Sequence, residues 1–330
     1  MKKVVKILFK TLAFVLGIII LAAVAFVAYL SITEYRPADT EPAAVEGTET
    51  APLNKPSFTV LSWNVGYCGL GEESDFFMDG GTQVHPLSQE LVEKNLTGIN
   101  TGLRDLLPDF VLLQEVDTDS TRSGLDEKAA LSSGWTSTYA LNFSTKFVPY
   151  PWPPIGKVNS GLLTLSRYGI TEASRISLPC PFTWPTSMVN LHLEAYDSGE
   201  GKIAQSRQLR EFLEQEYKAG NYVIAGGDWN QIFPDSEQTW PNTHVDLWTP
   251  GYLDESELSE GWRYVWDDSV PTCRLLNQPY DPADSANTQY YVIDGFLVSP
   301  NLNVDAVQTL DEGFAFTDHN PVKLTVTLGE

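Results

Sequence analysis

The stretch YVIAGGDWN, residues 222–230, joins a short apolar run to a pair of glycines and a polar end. Four consecutive apolar residues bounded by glycine predict a buried β-strand. Asp228 and Asn230 follow this strand directly, where a rigid scaffold commonly carries functional side chains. The segment therefore predicts a strand that delivers polar groups to one edge of a sheet.

The same arrangement of an apolar run beside a polar residue recurs along the chain. It is found in FTVLSWN (58–64), FVLLQE (110–115), MVNLHLEA (188–195), YYVIDGFLVS (290–299) and FTDHNPVKLTV (316–326). The polar residues placed in this way are Asn64, Glu115, His192, Asp294, Asp318 and His319. A single Asp after a strand is usually a turn or cap residue. The prediction of a site therefore depends on the whole set.

The residue types in this set suit metal-assisted phosphate chemistry. Hard divalent cations take oxygen ligands, and Asn64, Glu115 and Asp318 supply them. Phosphoryl transfer also needs a group that orients water and donors for the developing negative charge. The residues suited to those tasks are Asp228, Asn230, His192 and His319.

The remaining pattern predicts mixed α/β architecture. Helical spacing of apolar residues predicts helices over 88–107, with Ser88 as N-cap, and over 202–219, with Gly220 at the C-terminus. Other predicted strands cover 136–141, 161–165, 170–176, 187–193, 292–298, 304–309 and 323–328. Strands often follow strands directly, which favours two packed sheets with helices outside over a doubly wound parallel sheet.

Six motifs resemble, in order, those of the endonuclease/exonuclease/phosphatase superfamily. They are SWN (62–64), QE (114–115), NLHL (190–193), GDWN (227–230), ID (293–294) and TDHNPV (317–322). The resemblance covers about Ser57 to Leu328. It implies the DNase I-like fold, an α/β (α+β) four-layered sandwich of two mixed β-sheets flanked by helices. It also implies metal-dependent hydrolysis of a phosphoester.

The resemblance implies a ligand set for the metal. Asn64 and Glu115 would help to hold a divalent ion, Mg²⁺ or Mn²⁺, with Asp318 as a further ligand or a neighbouring acid. No other cofactor is implied.

The resemblance also implies catalytic roles. Asp228 would orient or deprotonate the attacking water, and Asn230 and His192 would bind phosphate oxygens. His319, oriented by Asp294, would stabilise the transition state or act as an acid or base, because a carboxylate fixes the imidazole tautomer and favours its charged form. Whether Asp228 or His319 is the base stays open.

Two arginines are further candidates. Arg122, in VDTDSTRS (116–123), follows the expected metal ligand Glu115 and has the geometry for two hydrogen bonds to a phosphate. The segment NSGLLTLSRYGI (159–170) resembles the family's strand that ends in Ser-Arg, so Arg167 is a candidate to support the site. A surface or structural ion pair is the alternative for Arg167.

The N-terminus predicts a membrane anchor. Lys2, Lys3, Lys6 and Lys10 form a basic tail in residues 1–10, and residues 11–33 carry no charge. Because about 20 apolar residues span a bilayer as a helix, residues 11–33 are predicted to be transmembrane, with the N-terminus cytoplasmic and the rest outside. A cleaved signal peptide is the rival interpretation. Residues 34–55 are predicted to be a disordered tether, and residues 56–330 to be the catalytic domain.

The charge of the chain bears on its substrate. The formal net charge is −22, and the 320 residues after the basic tail carry 17 basic and 43 acidic side chains. Such a surface repels phosphate backbones, so nucleic acid is a disfavoured partner. Three cysteines, Cys68, Cys180 and Cys273, show no zinc-ligand spacing.

The substrate class is set by loops. Aromatic residues are frequent in 65–86 and in 142–159, which are predicted to be loops, and such residues favour a membrane interface; packing over the domain is the alternative. We therefore expect a phosphodiesterase acting on a lipid or other phosphodiester headgroup. An extracellular nuclease, a phosphomonoesterase and a catalytically inactive binding module are the alternatives.

Overall fold

The computed structural model describes residues 2–48, 51–176, 187–196, 200–244 and 246–329. The helices are α1 (Lys2–Ile32), α2 (Gln89–Leu106), α3 (Glu127–Ser132) and α4 (Glu200–Lys218). The first strands are β1 (Thr40–Pro42), β2 (Val45–Glu46), β3 (Ser57–Asn64), β4 (Phe110–Asp117), β5 (Thr136–Val148), β6 (Gly156–Ser166), β7 (Ser174–Ile176), β8 (Ser187–His192) and β9 (Val223–Asp228). The others are β10 (Gln231–Ile232), β11 (Gly251–Tyr252), β12 (Arg263–Val265), β13 (Cys273–Arg274), β14 (Tyr290–Tyr291), β15 (Asp294–Val298), β16 (Leu302–Thr309) and β17 (Val322–Leu328).

Two mixed sheets form the centre of the domain. The larger has seven strands in the order β16-β17-β3-β4-β6-β5-β2, and the smaller has four in the order β12-β15-β9-β8. Each sheet has one parallel pair, β3 with β4 inside the larger sheet and β8 with β9 at the edge of the smaller one, and the other pairs are antiparallel. The predicted fold class is confirmed.

Alternation of side chains along β3 and β4 explains the layers. Val60 and Leu112 face the smaller sheet, where they pack in one cluster with Phe296 of β15. Leu61 and Leu113 point the other way, into the cluster that includes residues of α2 and α3. Because successive strand residues point to opposite faces, one apolar run serves both layers. The outer face of the smaller sheet packs against α4.

The helix boundaries follow the predicted signals. Ser88 caps α2, since its side chain accepts a hydrogen bond from the Leu91 N–H. Gly220 follows α4 with a φ of +93°, a left-handed conformation that glycine adopts without strain. The two predicted long helices are therefore confirmed, with ends within two residues of those expected.

The segment 142–159, predicted to be a loop, differs most from expectation. Strands β5 and β6 pair as a hairpin as far as Val148 and Gly156, so only residues 149–155 form its loop. The prolines that suggested a long loop lie at 149, 151, 153 and 154, all within this tip. Proline excludes ladder hydrogen bonding only where it stands, so the flanking residues are free to pair.

The N-terminal segment holds two further findings. Helix α1 includes one stretch, Val5–Ile32, that is long and apolar enough to cross a membrane by length and composition, with a mean hydropathy of 2.8. Within residues 34–55, expected to be a disordered tether, β1 pairs with β7 and β2 pairs with the start of β5. The tether prediction therefore fails for residues 40–46, because the edge strands of the domain offer backbone partners that composition alone does not reveal.

Candidate active site

Three of the predicted residues lie in one row across the smaller sheet. Asp228, at the end of β9, is paired in register with Asp294 of β15 on one side and with His192 of β8 on the other. Asn64 ends β3 in the larger sheet, and its Nδ2 donates to Asp228 Oδ2 at 3.1 Å. The polar ends of both sheets thus meet at one edge, which we call the catalytic edge.

Glu115 reaches the catalytic edge through an irregularity in β4. The pairing of β4 with β6 shifts register between Leu113 and Val116, and Glu115 has a φ of +55°. This bulge turns Glu115 toward the site, where its Oε1 accepts a hydrogen bond from Asn64 Nδ2 at 3.1 Å. Gln114 turns inward instead and donates to Asn190 Oδ1 at 2.7 Å, which ties the two sheets together behind the site.

The backbone before Asp228 approaches its neighbour closely. A Cβ at Gly227, which has a φ of +154°, would lie 1.9 Å from the carbonyl oxygen of Leu191. Only glycine fits there. After the strand, Asn230 adopts a φ of +49°, and its N–H donates to Asp228 Oδ1 at 2.8 Å. Asn230 Nδ2 donates to the Leu193 carbonyl at 2.9 Å, which leaves its second amide proton directed elsewhere.

His319 is held on both sides. Its Nδ1 lies 2.8 Å from Asp294 Oδ2, and Trp63 Nε1 donates to its backbone carbonyl at 3.0 Å. Burial lowers the pKa of His319, but the Asp294 carboxylate outweighs burial and raises that pKa well above its ordinary value. Burial raises the pKa of Asp294 to about 6 against the opposing effect of His319. The pair therefore carries an imidazolium and a carboxylate at neutral pH.

Asp318 lies beside His319, with its Oδ2 3.9 Å from His319 Nε2. Burial, with a further contribution from the charge of Glu115, raises the pKa of Asp318 to about 6. Its Oδ1 lies 3.2 Å from the Thr317 hydroxyl. A Cβ at Gly66, whose φ is +49°, would come within 3.0 Å of this oxygen, so the glycine leaves room for the carboxyl.

His192 faces the carboxylates across the catalytic edge. Its Nε2 lies 3.6 Å from Asp228 Oδ2 and 3.9 Å from Glu115 Oε1, and its side chain is 22% exposed. Burial alone would raise the pKa of Glu115, but His192, Arg122 and Asn64 outweigh it and lower that pKa. Glu115 is therefore a carboxylate at neutral pH.

Arg122 lies behind the site, and its described hydrogen bonds go to residues other than the predicted site residues. Its Nε and Nη2 donate to the two carboxylate oxygens of Asp117 at 2.8 Å each, and its guanidinium stacks 3.8 Å from the centroid of the Tyr67 ring. Its charge helps to lower the pKa of Glu115. Both ends of the guanidinium fork are therefore occupied by Asp117, and Arg122 acts on the site through its charge.

Arg167 lies at the wrong end of the sheet for a catalytic role. It follows β6, whose last residue Ser166 pairs with Phe110 at the start of β4, whereas Glu115 lies near the end of β4. Five residues of strand separate the two ends, about 16 Å. Arg167 Nε donates to the Pro108 carbonyl at 2.6 Å, and its guanidinium lies over Trp135. The expectation that Arg167 supports the site is therefore corrected.

One polar pair near the site was not predicted. Tyr196 donates its hydroxyl to Asp79 Oδ1 at 3.0 Å. Burial raises the pKa of Asp79, and the charge of Glu115 adds to that rise. Asp79 belongs to the long loop 65–86 and Tyr196 comes four residues after His192, but no local pattern in the sequence pairs them.

The donor set fits a hard divalent cation. Glu115, Asp228 and Asp318 present carboxylate oxygens at one edge, and Asn64 donates to the first two through its Nδ2. Burial and, to a smaller extent, the charge of Glu115 raise the pKa of Asp318, and a bound cation would favour its ionised form. Two other groups have ligand atoms within 4.8 Å of one another: Asp228, Asp294 and His319, and Cys273, Asp318 and His319.

These two groups are less suitable as binding sites for a divalent metal. In the first, His319 Nδ1 is already engaged by Asp294. In the second, burial raises the pKa of the Cys273 thiol to about 12, so it stays protonated. Glu115, which shares the Asn64 amide with Asp228, belongs to neither group among the described residues. Cys68 and Cys273 are both buried and unbridged, and Cys180 lies outside the described residues.

The sequence profile described as the Endonuclease/Exonuclease/phosphatase family matches residues 61–319. The chain belongs to this family. Members of the endonuclease/exonuclease/phosphatase family are hydrolases that act on phosphoester bonds, and they typically use divalent metals. The match spans all eight residues that the structure brings together at the catalytic edge.

One solved structure of this family supports the fold. An endonuclease/exonuclease/phosphatase protein from Beutenbergia cavernae DSM 12333 is 18% identical, aligns over 83% of this chain and 72% of its own, and has a TM-score of 0.52. ANGEL2, a 2',3'-cyclic phosphatase, aligns over 87% of this chain and 99% of its own at 15% identity and a TM-score of 0.49. Truncated TDP2 from Caenorhabditis elegans aligns over 82% of this chain and 98% of its own, at 15% identity and a TM-score of 0.46. No curated protein matches the chain.

Proposed function

We propose that this chain is a membrane-anchored phosphoesterase that depends on Mg²⁺ or Mn²⁺ and acts outside the cytoplasm on a lipid or other phosphodiester headgroup. The observation that carries the proposal is the meeting of the predicted residues at the catalytic edge. Asn64 bonds to both Glu115 and Asp228, and His192 and His319 approach Asp228 from opposite sides. An inactive binding module would have no need to retain the whole set.

Asn64, Glu115 and Asp318 are the proposed ligands of the metal. When bound, the ion would polarise the phosphoryl oxygen and neutralise developing charge. Asn64 Nδ2 now faces the two carboxylates while its Oδ1 accepts from the Gly66 N–H at 3.0 Å. Ligation through Oδ1 therefore requires the amide to be in the reversed orientation.

Asp228 is the proposed residue that orients and deprotonates the attacking water. Its Oδ1 is occupied by the Asn230 N–H, which fixes the carboxylate and leaves Oδ2 toward the centre of the edge. His319 is already protonated beside Asp294. It is therefore suited to stabilise the anionic transition state through Nε2, and Asp228 is the better base.

His192 and Asn230 are the proposed donors to phosphate oxygens. His192 Nε2 is partly exposed at the edge, and Asn230 retains an amide proton beyond the one that it donates to Leu193. Arg122 lies one layer behind and contributes positive charge without touching the substrate.

The apolar helix α1 and the charge balance support the proposed location. Four lysines precede the uncharged run, and acidic residues follow it, which favours a cytoplasmic N-terminus. The acidic domain surface favours a substrate with few negative charges over nucleic acid. Division of the chain into tail, span, a tether that ends before β1 and a catalytic domain is part of the same proposal.

The test uses the purified full-length chain, reconstituted in vesicles, with Mg²⁺ or with EDTA. Substrates are sphingomyelin, phosphatidylcholine, plasmid DNA and p-nitrophenyl phosphate, and the matched control is Asp228→Asn. We expect metal-dependent release of headgroup phosphate by the wild type and none by the variant. DNA cleavage or phosphomonoester hydrolysis with lipids untouched would replace the lipid assignment. A folded protein that binds metal and hydrolyses none of these substrates would contradict the proposed activity.

Topology is tested in intact cells with an epitope at the C-terminus. Protease added outside should remove the epitope if the domain lies outside the cytoplasm, and an epitope degraded only after lysis would reverse the orientation.

A further inference from the structure

The hairpin of β5 and β6 extends past the catalytic edge. Asp117, the last residue of β4, pairs with Ser160, which also pairs with Phe143. From Phe143 the hairpin continues to Val148 without support from β4, a projection of about 16 Å at 3.3 Å per residue. Its end, residues 146–155, is called the hairpin tip below.

The hairpin also runs back along the apolar helix α1. The Tyr35 hydroxyl donates to the Leu141 carbonyl at 3.3 Å, and the Phe26 and Phe147 ring centroids are 5.9 Å apart. Leu141 near the middle of β5 contacts residue 35, and Phe147 near its end contacts residue 26, so β5 and the N-terminal segment run in opposite directions. The tip therefore points toward the interior of the apolar run, and Phe26 lies about 10 Å inside the end of that run at Thr33.

The side chains of the tip suit a membrane interface. Tyr150 is 77% exposed and Trp152 is 85% exposed, and Lys146 is exposed close to them in the sequence. Large aromatic residues so open to water are unusual on a folded domain. Trp and Tyr are enriched at the headgroup level of bilayers, where a lysine meets phosphate.

We propose that the hairpin tip inserts into the interface of the bilayer that α1 crosses, and that it turns the catalytic edge toward the surface of that bilayer. The inference rests on the proposed membrane anchoring. The partner of the hairpin tip is lipid, because the contact between Phe26 and Phe147 makes the tip continuous with the membrane-spanning surface of α1.

Hydrogen bonds couple the tip to the loops around the site. His85, in loop 65–86, places Nε2 2.9 Å from the Pro154 carbonyl. The Thr121 N–H, a few residues after Glu115, donates to the Lys157 carbonyl at 2.7 Å. A tip held by lipid would thus set the orientation of both loops, and the phosphoester that the site meets would be one at the bilayer surface.

The test measures tryptophan fluorescence of the full-length chain in phosphatidylcholine vesicles, with and without bromine atoms on the acyl chains. Bromine quenches only tryptophans that lie in the membrane. The chain has nine tryptophans, and none precedes Trp63. We expect bromine-dependent quenching in the wild type that is largely lost in Trp152→Phe. It should persist in Trp135→Phe, the matched control, whose ring lies under Arg167 at the far end of β5.

Flotation of the vesicles after an alkaline wash separates this inference from the anchoring proposal. Equal quenching in the wild type and in Trp152→Phe, in chains that float with the vesicles, overturns insertion of the tip and leaves anchoring intact. Chains that do not float overturn both. Trp152 shielded from aqueous acrylamide but not quenched by bromine would show a protein partner or a second copy, and would also overturn the proposal.

Discussion

His319 Nε2 lies 3.8 Å from Asp228 Oδ2, while the other ring nitrogen, Nδ1, lies 2.8 Å from Asp294 Oδ2. One imidazole therefore connects two carboxylates that are also paired directly across β9 and β15. The ring is fixed by the carboxylate behind it and presents its second nitrogen to the carboxylate in front. This arrangement leaves the two residues with separate tasks, which substitution can distinguish.

Replacement of Asp228 by Asn keeps the hydrogen-bonding shape but removes the proposed base. We predict that Asp228→Asn lowers kcat by about 10²–10⁴-fold. His319→Ala should lower it by a similar amount, because it removes the proposed stabiliser of the transition state. Steady-state kinetics on the substrate identified above measures both. Circular dichroism is the control for folding, and a folded variant with near-normal kcat would remove that residue from the mechanism.

Glu115→Gln tests the metal site. The substitution keeps the size of the side chain and removes a carboxylate, so we predict at least about a tenfold weaker affinity for Mn²⁺, equivalent to about 1.4 kcal/mol. Titration calorimetry with Mn²⁺ measures it. Glu93→Gln, on the exposed face of α2, is the matched control. An unchanged binding constant in Glu115→Gln would exclude Glu115 as a ligand.

Metal affinity should depend on pH through Asp318. The pKa of this carboxyl is raised to about 6, so it is mainly ionised at pH 7 and mainly protonated at pH 5. Because metal must displace that proton, the dissociation constant for Mn²⁺ should rise as pH falls below 6, by at most about tenfold per pH unit from this group. Asp318→Asn should flatten the dependence. A dependence that is equally steep in the variant would assign the proton to another group.

Substitution of Arg122 and of Arg167 should have different effects on turnover, although both residues stabilise the fold. Arg122→Ala leaves the fully buried Asp117 carboxylate unpaired, so we predict a loss of about 3–5 kcal/mol in the free energy of unfolding, together with lower turnover. Arg167→Ala should lower stability but leave kcat of the folded protein unchanged. Urea unfolding and kinetics at a temperature where both variants are folded measure the two effects. A fall in kcat in Arg167→Ala would return that residue to the site.

Asp109 should stabilise the fold in a pH-dependent way. Burial raises its pKa, but Lys55, the Thr59 N–H and the Tyr168 hydroxyl outweigh burial and lower it. A lowered pKa means that the stabilisation is present above the unfolded value of about 3.9 and is lost as pH falls through the folded value. We predict that Asp109→Asn costs about 1–3 kcal/mol at pH 7.

This difference from the wild type should shrink below about pH 4. Urea unfolding at pH 7 and pH 3.5 measures it, with Glu172→Gln at an exposed position as the matched control for removal of one negative charge. A cost that is independent of pH would show that the carboxylate charge is not its source.

The sequence predicted most strands of the two sheets, because these are short apolar runs, but it predicted neither β2 nor β12. It also predicted the Ser88 cap and, through the family resemblance, the pairing of His319 with Asp294. These features depend on local chemistry or on a motif. The QE motif identified Glu115, but the left-handed φ that turns it toward the site leaves no compositional trace.

Other differences have the same physical origin. Arg167 follows an apolar strand just as Glu115 does, and only the antiparallel pairing of β4 with β6 puts them at opposite ends of the sheet. The strands at 40–46 and the ends of the β5–β6 hairpin are polar enough to be taken for loops, and the neighbours that pair with them are distant in sequence. In each of these regions the structure depends on contacts between segments that are distant in the sequence.

The short strand β1 begins at Thr40, where it is held against β7. For an anchored chain, only residues 33–39 would then span the gap between bilayer and domain. Seven extended residues reach about 25 Å at most. Such a short tether would keep the domain close to the bilayer, so the enzyme would search for a lipid substrate in two dimensions. It would meet molecules of the membrane that carries it in preference to those of an opposing membrane.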